Sequence, residues 1–250
     1  MRHTFFGFSG LSFFFTVLLA LGTLILPAQS EPWQRVNTGL EWTTGKPLSP
    51  YYMYDIACTG TAVCVLVGEQ AKVQRTVTGT TLETVTVPTT TTLLSVVFAD
   101  SNTVYACGGN GTVLKSTNAG GSWTSQATGS TQFLNSLAFT SRDTGYVFGD
   151  GGEAYKTVNG GTAWTPLATG RTQVLLGAAF VNARVGWVVA GRSIIKTTNG
   201  GTDWTLQSTG TSDGMNEISM INADTGYAIG GSGTFIKTTN GGTDWTVGNT

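Results

Sequence analysis

Two carboxylates, Asp55 and Glu217, occupy the same position of a repeated pattern. Carboxylates that share one cavity can divide general-acid and general-base work, as in glycoside hydrolysis. Ser95, Ser136 and Gly177 stand at the same position in other repeats. Small or polar residues in that column suit a wet channel, so a second reading of the pair is two solvated groups at a channel mouth. A sialidase-like site would add several arginines converging on a substrate carboxylate. Arg35, Arg75, Arg142, Arg171, Arg184 and Arg192 instead fall at different repeat positions. The only histidine is His3, inside an N-terminal apolar segment. The rest of the chain therefore has no histidine for acid–base chemistry, a Ser–His triad or a common zinc site. The Gly-Gly pairs belong to hairpins and precede no helix, so no phosphate loop is expected, and no metal cluster, nucleophile motif or cofactor.

The elements that hold these residues repeat. Lys115-Ser-Thr-Asn-Ala-Gly-Gly-Ser-Trp123 returns as Lys156 to Trp164, Lys196 to Trp204 and Lys237 to Trp245, the tryptophans spaced 41, 40 and 41 residues apart. A fixed period near 40 with one turn motif and one aromatic per unit marks a repeat architecture. Each unit reads as four short strands. The first are Leu94–Phe98, Leu134–Phe139, Leu175–Phe180 and Asn216–Met220; the second are Val104–Cys107, Tyr146–Phe148, Trp187–Val189 and Tyr227–Ile229. A Gly-rich turn leads to a third strand ending at the lysine, and the fourth runs from the tryptophan to Thr-Gly. Four strands per unit is the arithmetic of a β-propeller blade, which must stack on neighbours to bury its faces. An all-β propeller follows, with five blades at about 50–91, 92–131, 132–171, 172–211 and 212–250.

The first of these is worn, with Arg75-Thr-Val-Thr-Gly79 at the turn, Leu82 in place of the tryptophan, and Glu83–Leu93 as fourth strand and connector. Upstream, Trp33-Gln-Arg-Val-Asn-Thr38-Gly39 repeats the fourth strand alone. Segment 31–39 is expected to be a closing strand, because a propeller removes its exposed edges by closing on itself. Since the last unit already has its own fourth strand, the five blades are expected to be part of a six- or seven-bladed ring continuing past Thr250. A five-bladed ring is the alternative.

By parity, Ile56, Val96, Leu137, Ala178 and Ile218 form an apolar column assigned to blade-to-blade packing, beside the channel-facing column of Asp55 and Glu217. The turn aligns as Ser/Thr-x-Asn-x-Gly-x-x-Trp. It resembles the Asp-box of bacterial neuraminidase repeats, with Asn118, Asn159, Asn199 and Asn240 in place of the usual Asp and Trp123, Trp164, Trp204 and Trp245 closing the motif. In those families the box is a structural hairpin, so these eight residues are read as architectural rather than as ligands.

The fuller units, Asp143-Thr-Gly-Tyr to Trp164 and Asp224-Thr-Gly-Tyr to Trp245, resemble the repeats of the photosystem II stability/assembly factor family. That resemblance covers roughly 50–250. It implies an exported, seven-bladed, non-enzymatic propeller, located in the thylakoid lumen or periplasm, that binds a newly made reaction-centre subunit. The partner expected is accordingly another exported or membrane protein, a photosystem reaction-centre subunit in a photosynthetic host. Asp150 and Arg192, both in turns between second and third strands, are the candidate contact residues. The alternatives are a carbohydrate-binding or adhesion propeller with a glycan partner, and a sialidase-like glycosidase.

Export has its own signal. Met1-Arg2-His3, an apolar run from Phe5 to Leu26 and the small residues Ala28 and Ser30 read as a signal peptide, 1–30, cleaved before Glu31. An uncleaved N-terminal anchor is the alternative. Without those residues Lys+Arg falls from 13 to 12 against 14 Asp+Glu, a charge of −2, which is no footprint for nucleic acid. In an exported chain Cys58 and Cys64, flanking Thr59–Val63, can face each other across a hairpin as a disulfide. Cys107, at a position held by Phe148, Val189 and Ile229 elsewhere, is expected in the core.

Overall fold

The computed structural model describes residues 51–248. The expected signal peptide 1–30 and closing strand 31–39 lie outside the described residues. Among those described, no helix is long and apolar enough to cross a membrane.

The described residues fold as a β-propeller of five antiparallel four-stranded blades, each made of consecutive strands. The first blade comprises β1 Met53–Thr59, β2 Val63–Gly68, β3 Val73–Thr76 and β4 Glu83–Val85. The second comprises β5 Leu93–Phe98, β6 Val104–Gly108, β7 Val113–Ser116 and β8 Thr124–Gln126. The third has β9 Leu134–Phe139, β10 Gly145–Gly149, β11 Ala154–Thr157 and β12 Thr165–Pro166. The fourth has β13 Leu175–Phe180, β14 Gly186–Ala190, β15 Ser193–Thr197 and β16 Thr205–Gln207. The fifth has β17 Met215–Met220, β18 Gly226–Gly230, β19 Phe235–Thr238 and β20 Thr246–Val247. The opening strands β1, β5, β9, β13 and β17 contact one another in chain order, so they form the inner layer around which the blades fan.

The fourth strands are shorter than the Trp-to-Gly stretches expected for them. Pairing starts one residue after each tryptophan and lasts two or three residues. The tryptophan leaves the ladder because its ring is needed between blades. The strand end leaves it because the Thr hydroxyl turns inward: Thr128 donates to Gly111 O at 3.2 Å and Thr169 to Gly152 O at 2.8 Å.

The core lies between blades. Val65, Val67 and Val73 of the first blade meet Val96, Leu114 and Trp123 of the second. Trp164, Trp204 and Trp245 enter the three following interfaces in the same way. Burial of these faces is the main stabilising term, at about 25 cal/mol per Å² of apolar surface. Cys107 is fully buried among them. The apolar column packs as expected at Val96, Leu137 and Ile218, each at most 6% exposed. Ile56 does not. It is 39% exposed, because its face of the first blade has no blade before it among the described residues.

A cationic ladder reinforces the stack. Lys115 donates to Gly160 O at 2.7 Å, Lys156 to Gly200 O at 2.9 Å and Lys196 to Gly241 O at 2.8 Å, each reaching the turn of the following blade. Each ammonium also lies over an aromatic ring of its own blade, 4.9–5.5 Å from the centroid, a favourable cation–π position. In the worn first blade Arg75 takes the lysine's place and donates to Asn118 O at 3.2 Å. Arg75 also pairs with Glu83, the only ion pair among the described residues.

Candidate functional site at the channel mouth

The inner strands bring one residue per blade to the channel by means of a repeated irregularity. In every blade the pairing of the first two strands slips by one residue near the start of the inner strand. Such a bulge sets two residues against one and re-aims the side chain that follows. The extra residues are Tyr54, Leu94, Asn135, Leu176 and Asn216, read from the registers Met53↔Gly68/Asp55↔Val67 and their equivalents. Asp55, Ser95, Ser136, Gly177 and Glu217 follow them. Parity alone placed these five in one column; the bulge that aims them has no sequence signal beyond the repeat.

Asp55 is held across a blade boundary. One carboxylate oxygen accepts the N–H of Ile56 and the other the N–H of Val96 in the second blade, both at 2.8 Å. Glu217 accepts the N–H of Ile218 at 3.0 Å. Its side chain lies against Gly177 of the fourth blade, where a Cβ would collide with the Glu217 carboxylate and backbone. Gly177 is thus the gap that accommodates Glu217.

Both carboxylates are half-buried, and the surrounding protein removes enough water to favour the neutral form. Burial pushes Asp55 up to about 6, opposed by its hydrogen bonds to the Val96 and Ile56 amides and to Ser95. Burial pushes Glu217 up to about 7; the bond from Ile218 opposes this and the charge of Asp55 adds to it. The two therefore sense each other, and near neutral pH the pair carries less than its full formal charge. Chemically this is a group poised to hold or release a proton at the channel mouth.

Asp150 and Arg192 are not brought together. Asp150 accepts from Asn135 Nδ2 at 2.9 Å, and the same amide donates to Leu175 O of the next blade at 3.1 Å. Asp150 is thereby tied into a blade-to-blade bridge through the bulge residue Asn135. Arg192 is exposed. Among the described residues no group of His, Cys, Asp and Glu is arranged to hold a metal ion.

A second feature of this end was not read from the sequence. In four of the five blades the residue just before the inner strand abuts the turn between second and third strands: Glu69, Gly109, Asp150 and Gly231 N–H donate to Tyr52, Thr92, Phe133 and Gly214 carbonyls at 2.8–2.9 Å. Tyr52, Phe133 and Val174, three residues at that position, are 70%, 48% and 36% exposed. Beside them Tyr54 donates to Glu69 at 3.1 Å. The mouth carrying Asp55 and Glu217 is therefore rimmed by exposed apolar side chains.

The turn motifs are occupied internally. Asn199 Oδ1 accepts from the Thr197 hydroxyl at 3.1 Å and the Asp203 N–H at 2.9 Å, while Thr197 Oγ1 accepts from Gly201 N–H at 2.8 Å. Asn118, Asn159 and Asn240 repeat the arrangement. Trp123 and Trp204 indoles donate to Gly120 and Gly201 carbonyls at 3.0 and 3.1 Å. The Asn and the Ser or Thr of each motif are used up in shaping one loop, whereas the buried Trp164 and Trp245 indole N–H groups have no hydrogen-bond partner among the described residues. Cys58 and Cys64 pair directly opposite each other across the first hairpin and form a disulfide.

Comparison with known proteins adds to this geometry. The model of the family described as Photosynthesis system II assembly factor YCF48 matches residues 76–158 and 156–248. Among solved structures, YCF48 bound to D1 peptide is similar at 17% identity and TM-score 0.65, over 82% of this chain and 70% of that one. YCF48 from Cyanidioschyzon merolae is similar at 14% identity and TM-score 0.57, over 81% of this chain and 86% of that one. An ancestral GH74 enzyme is similar at 15% identity and TM-score 0.66, over 81% of this chain and 32% of that one. At these identities the structures share the fold. No curated protein matches the chain.

Proposed function

The chain belongs to the Photosynthesis system II assembly factor YCF48 family, and from that premise we propose that it is an exported, non-enzymatic scaffold that holds a segment of another exported or membrane protein across its channel mouth. The observation that carries the reading is the rim of Tyr52, Phe133 and Val174, exposed apolar side chains gathered around a funnel of hydrogen-bonding groups. Exposed aromatics beside polar groups are what peptide recognition uses. The relative described as bound to D1 peptide supports a protein ligand of this kind. In a photosynthetic host the partner is a photosystem reaction-centre subunit or its precursor. Asp55, Glu217 and Arg192 then supply polar contacts around the apolar anchors, with Asp150 holding the rim through Asn135.

Affinity capture from the host's membrane and envelope fraction, with a gentle crosslinker and identification by mass spectrometry, tests this. Recovery of a membrane or exported protein whose capture is lost in the Tyr52→Ala, Phe133→Ala double variant supports the reading. Capture unaffected by that variant overturns the assignment to the mouth.

A second reading rests on Asp55 and Glu217 together with the GH74 likeness: glycan binding or hydrolysis at the same mouth. A glycan array and a hydrolysis assay on xyloglucan decide it, with Asp55→Asn and Glu217→Gln abolishing any activity found. Silence in both assays removes this reading.

A further inference from the structure

The chain contains four Asn-Gly pairs: Asn110-Gly111, Asn159-Gly160, Asn199-Gly200 and Asn240-Gly241. Such a pair is prone to lose the asparagine carboxamide, because glycine puts no side chain in the way when its own amide nitrogen attacks the asparagine Cγ. The fold restrains that nitrogen alike in all four. Gly111 N–H donates to Gln132 O at 2.7 Å, Gly160 to Asp143 O at 2.9 Å, Gly200 to Arg184 O at 2.8 Å and Gly241 to Asp224 O at 2.8 Å. The carboxamides, however, differ. In Asn159, Asn199 and Asn240, Oδ1 accepts a Thr hydroxyl at 3.0–3.1 Å and a main-chain N–H at 2.9 Å. Asn199 and Asn240 also donate through Nδ2 to Asp203 and Asp244. Asn110 is exposed, and its side chain makes no hydrogen bond among the described residues. It sits in the turn between β6 and β7, left-handed at φ +53°, with Gly111 at +64°. The second blade is packed against a blade on each side, so this exposure belongs to the turn itself.

We propose that Asn110 is a site of spontaneous modification on the rim of the mouth, converted in the folded protein to aspartate or isoaspartate ahead of Asn159, Asn199 and Asn240. The Gly111 nitrogen gives up its proton to water and bonds to Asn110 Cγ. The bond from Cγ to the carboxamide nitrogen breaks, and that nitrogen leaves, protonated, as ammonia. Water then opens the cyclic imide at one of its two carbonyls, giving aspartate or isoaspartate; no oxidant or reductant is needed. At Asn110 one hydrogen bond, from Gly111 to Gln132, has to open before attack. At the other three pairs the side chain must also surrender two or three bonds, so the reactive geometry is rarer. Either product sets a new carboxylate in the turn whose Gly109 lies against the Phe133 ring. Isoaspartate adds a methylene to the main chain as well, which moves Gly111 N–H away from Gln132 O.

The test holds the full-length chain folded in mildly alkaline buffer at physiological temperature, with samples taken over days for peptide mapping by mass spectrometry. Asn110 is expected to convert about tenfold or more faster than Asn159, Asn199 or Asn240. Earlier conversion of any of those three, or one common rate for all four, overturns the proposal. A parallel sample in urea separates the fold from local sequence, and there the four rates are expected to converge. An advantage of Asn110 that persists in the unfolded chain assigns the preference to its flanking residues and overturns the structural argument. So does an Asn110 that stays intact in the folded chain while the urea sample converts.

Discussion

Replacing Glu217 with Gln changes stability in a way that depends on pH, and the dependence reports on the channel mouth. The folded-state carboxyl titrates at about 7 against an ordinary value of 4.5. The folded protein therefore keeps this proton through a window in which the unfolded chain has lost it. Above pH 7 the carboxylate is ionised in both states, and its lost hydration opposes folding. As pH falls from about 7 toward 4.5 the folded form takes up its proton first, the penalty is relieved, and stability rises. The difference of 2.5 units between those two values, at about 1.36 kcal/mol each, bounds the effect near 3 kcal/mol. Glu217 keeps some contact with channel water, so a gain of about 1–3 kcal/mol is expected for Glu217→Gln at pH 8. At pH 4.5 the variant and the parent should coincide, since Gln is nearly isosteric with the protonated acid and its amide oxygen can still accept from Ile218. Urea denaturation followed by tryptophan fluorescence at pH 4.5, 6, 7 and 8 measures this. The variant retains part of the slope through Asp55, whose window runs up to about 6. A variant no more stable than the parent at pH 8, or a gain of equal size at every pH, would refute the burial argument.

Other perturbations test the elements that support the mouth. Lys156→Met removes the bond to Gly200 O and the contact with the Tyr146 ring; a loss of about 1–2 kcal/mol is expected by thermal unfolding. Asn159→Asp should be nearly neutral, because its side-chain acceptor to Ala163 N–H is kept. Asn199→Asp should cost about 1 kcal/mol in the same assay, because Nδ2 now donates to Asp203 at 2.7 Å and a carboxylate there would repel it. Gly201→Ala should lower stability by about 1–3 kcal/mol, since its φ is +88° and the added Cβ would sit 2.7 Å from Leu167 Cδ1.

Much of the architecture was legible because repetition amplifies a weak local signal. One Asn-Gly-Gly loop says only that a hairpin turns; three of them and one Asn-Ala-Gly-Gly at a spacing of 40 or 41, each with a tryptophan seven residues after the strand-ending Ser or Thr, leave few folds other than stacked sheets. The same alignment put Asp55 and Glu217 in one column. It also displayed the lysines at constant intervals without disclosing their use, because their acceptors lie on the next blade, 44 or 45 residues away. Arg75 was legible only as a departure from the turn motif, whereas in space it fills the lysine's place.

The sequence by itself determined the repeat, its four-strand unit, the role of the Asn, Gly and Trp residues in shaping the loops, and the lack of histidine chemistry beyond the N-terminal segment. These are properties of local chain conformation and composition, which travel with the residues. Tertiary structure alone decided the rest. Bulges aimed the channel column, and Gly177 made room for Glu217 from the next blade. Asn135 joined Asp150 to the next blade's Leu175, and Tyr52, Phe133 and Val174 gathered at one rim. All of these depend on how blades are rotated about a common axis, and burial, charge coupling and exposure arise only once that rotation sets which surfaces meet.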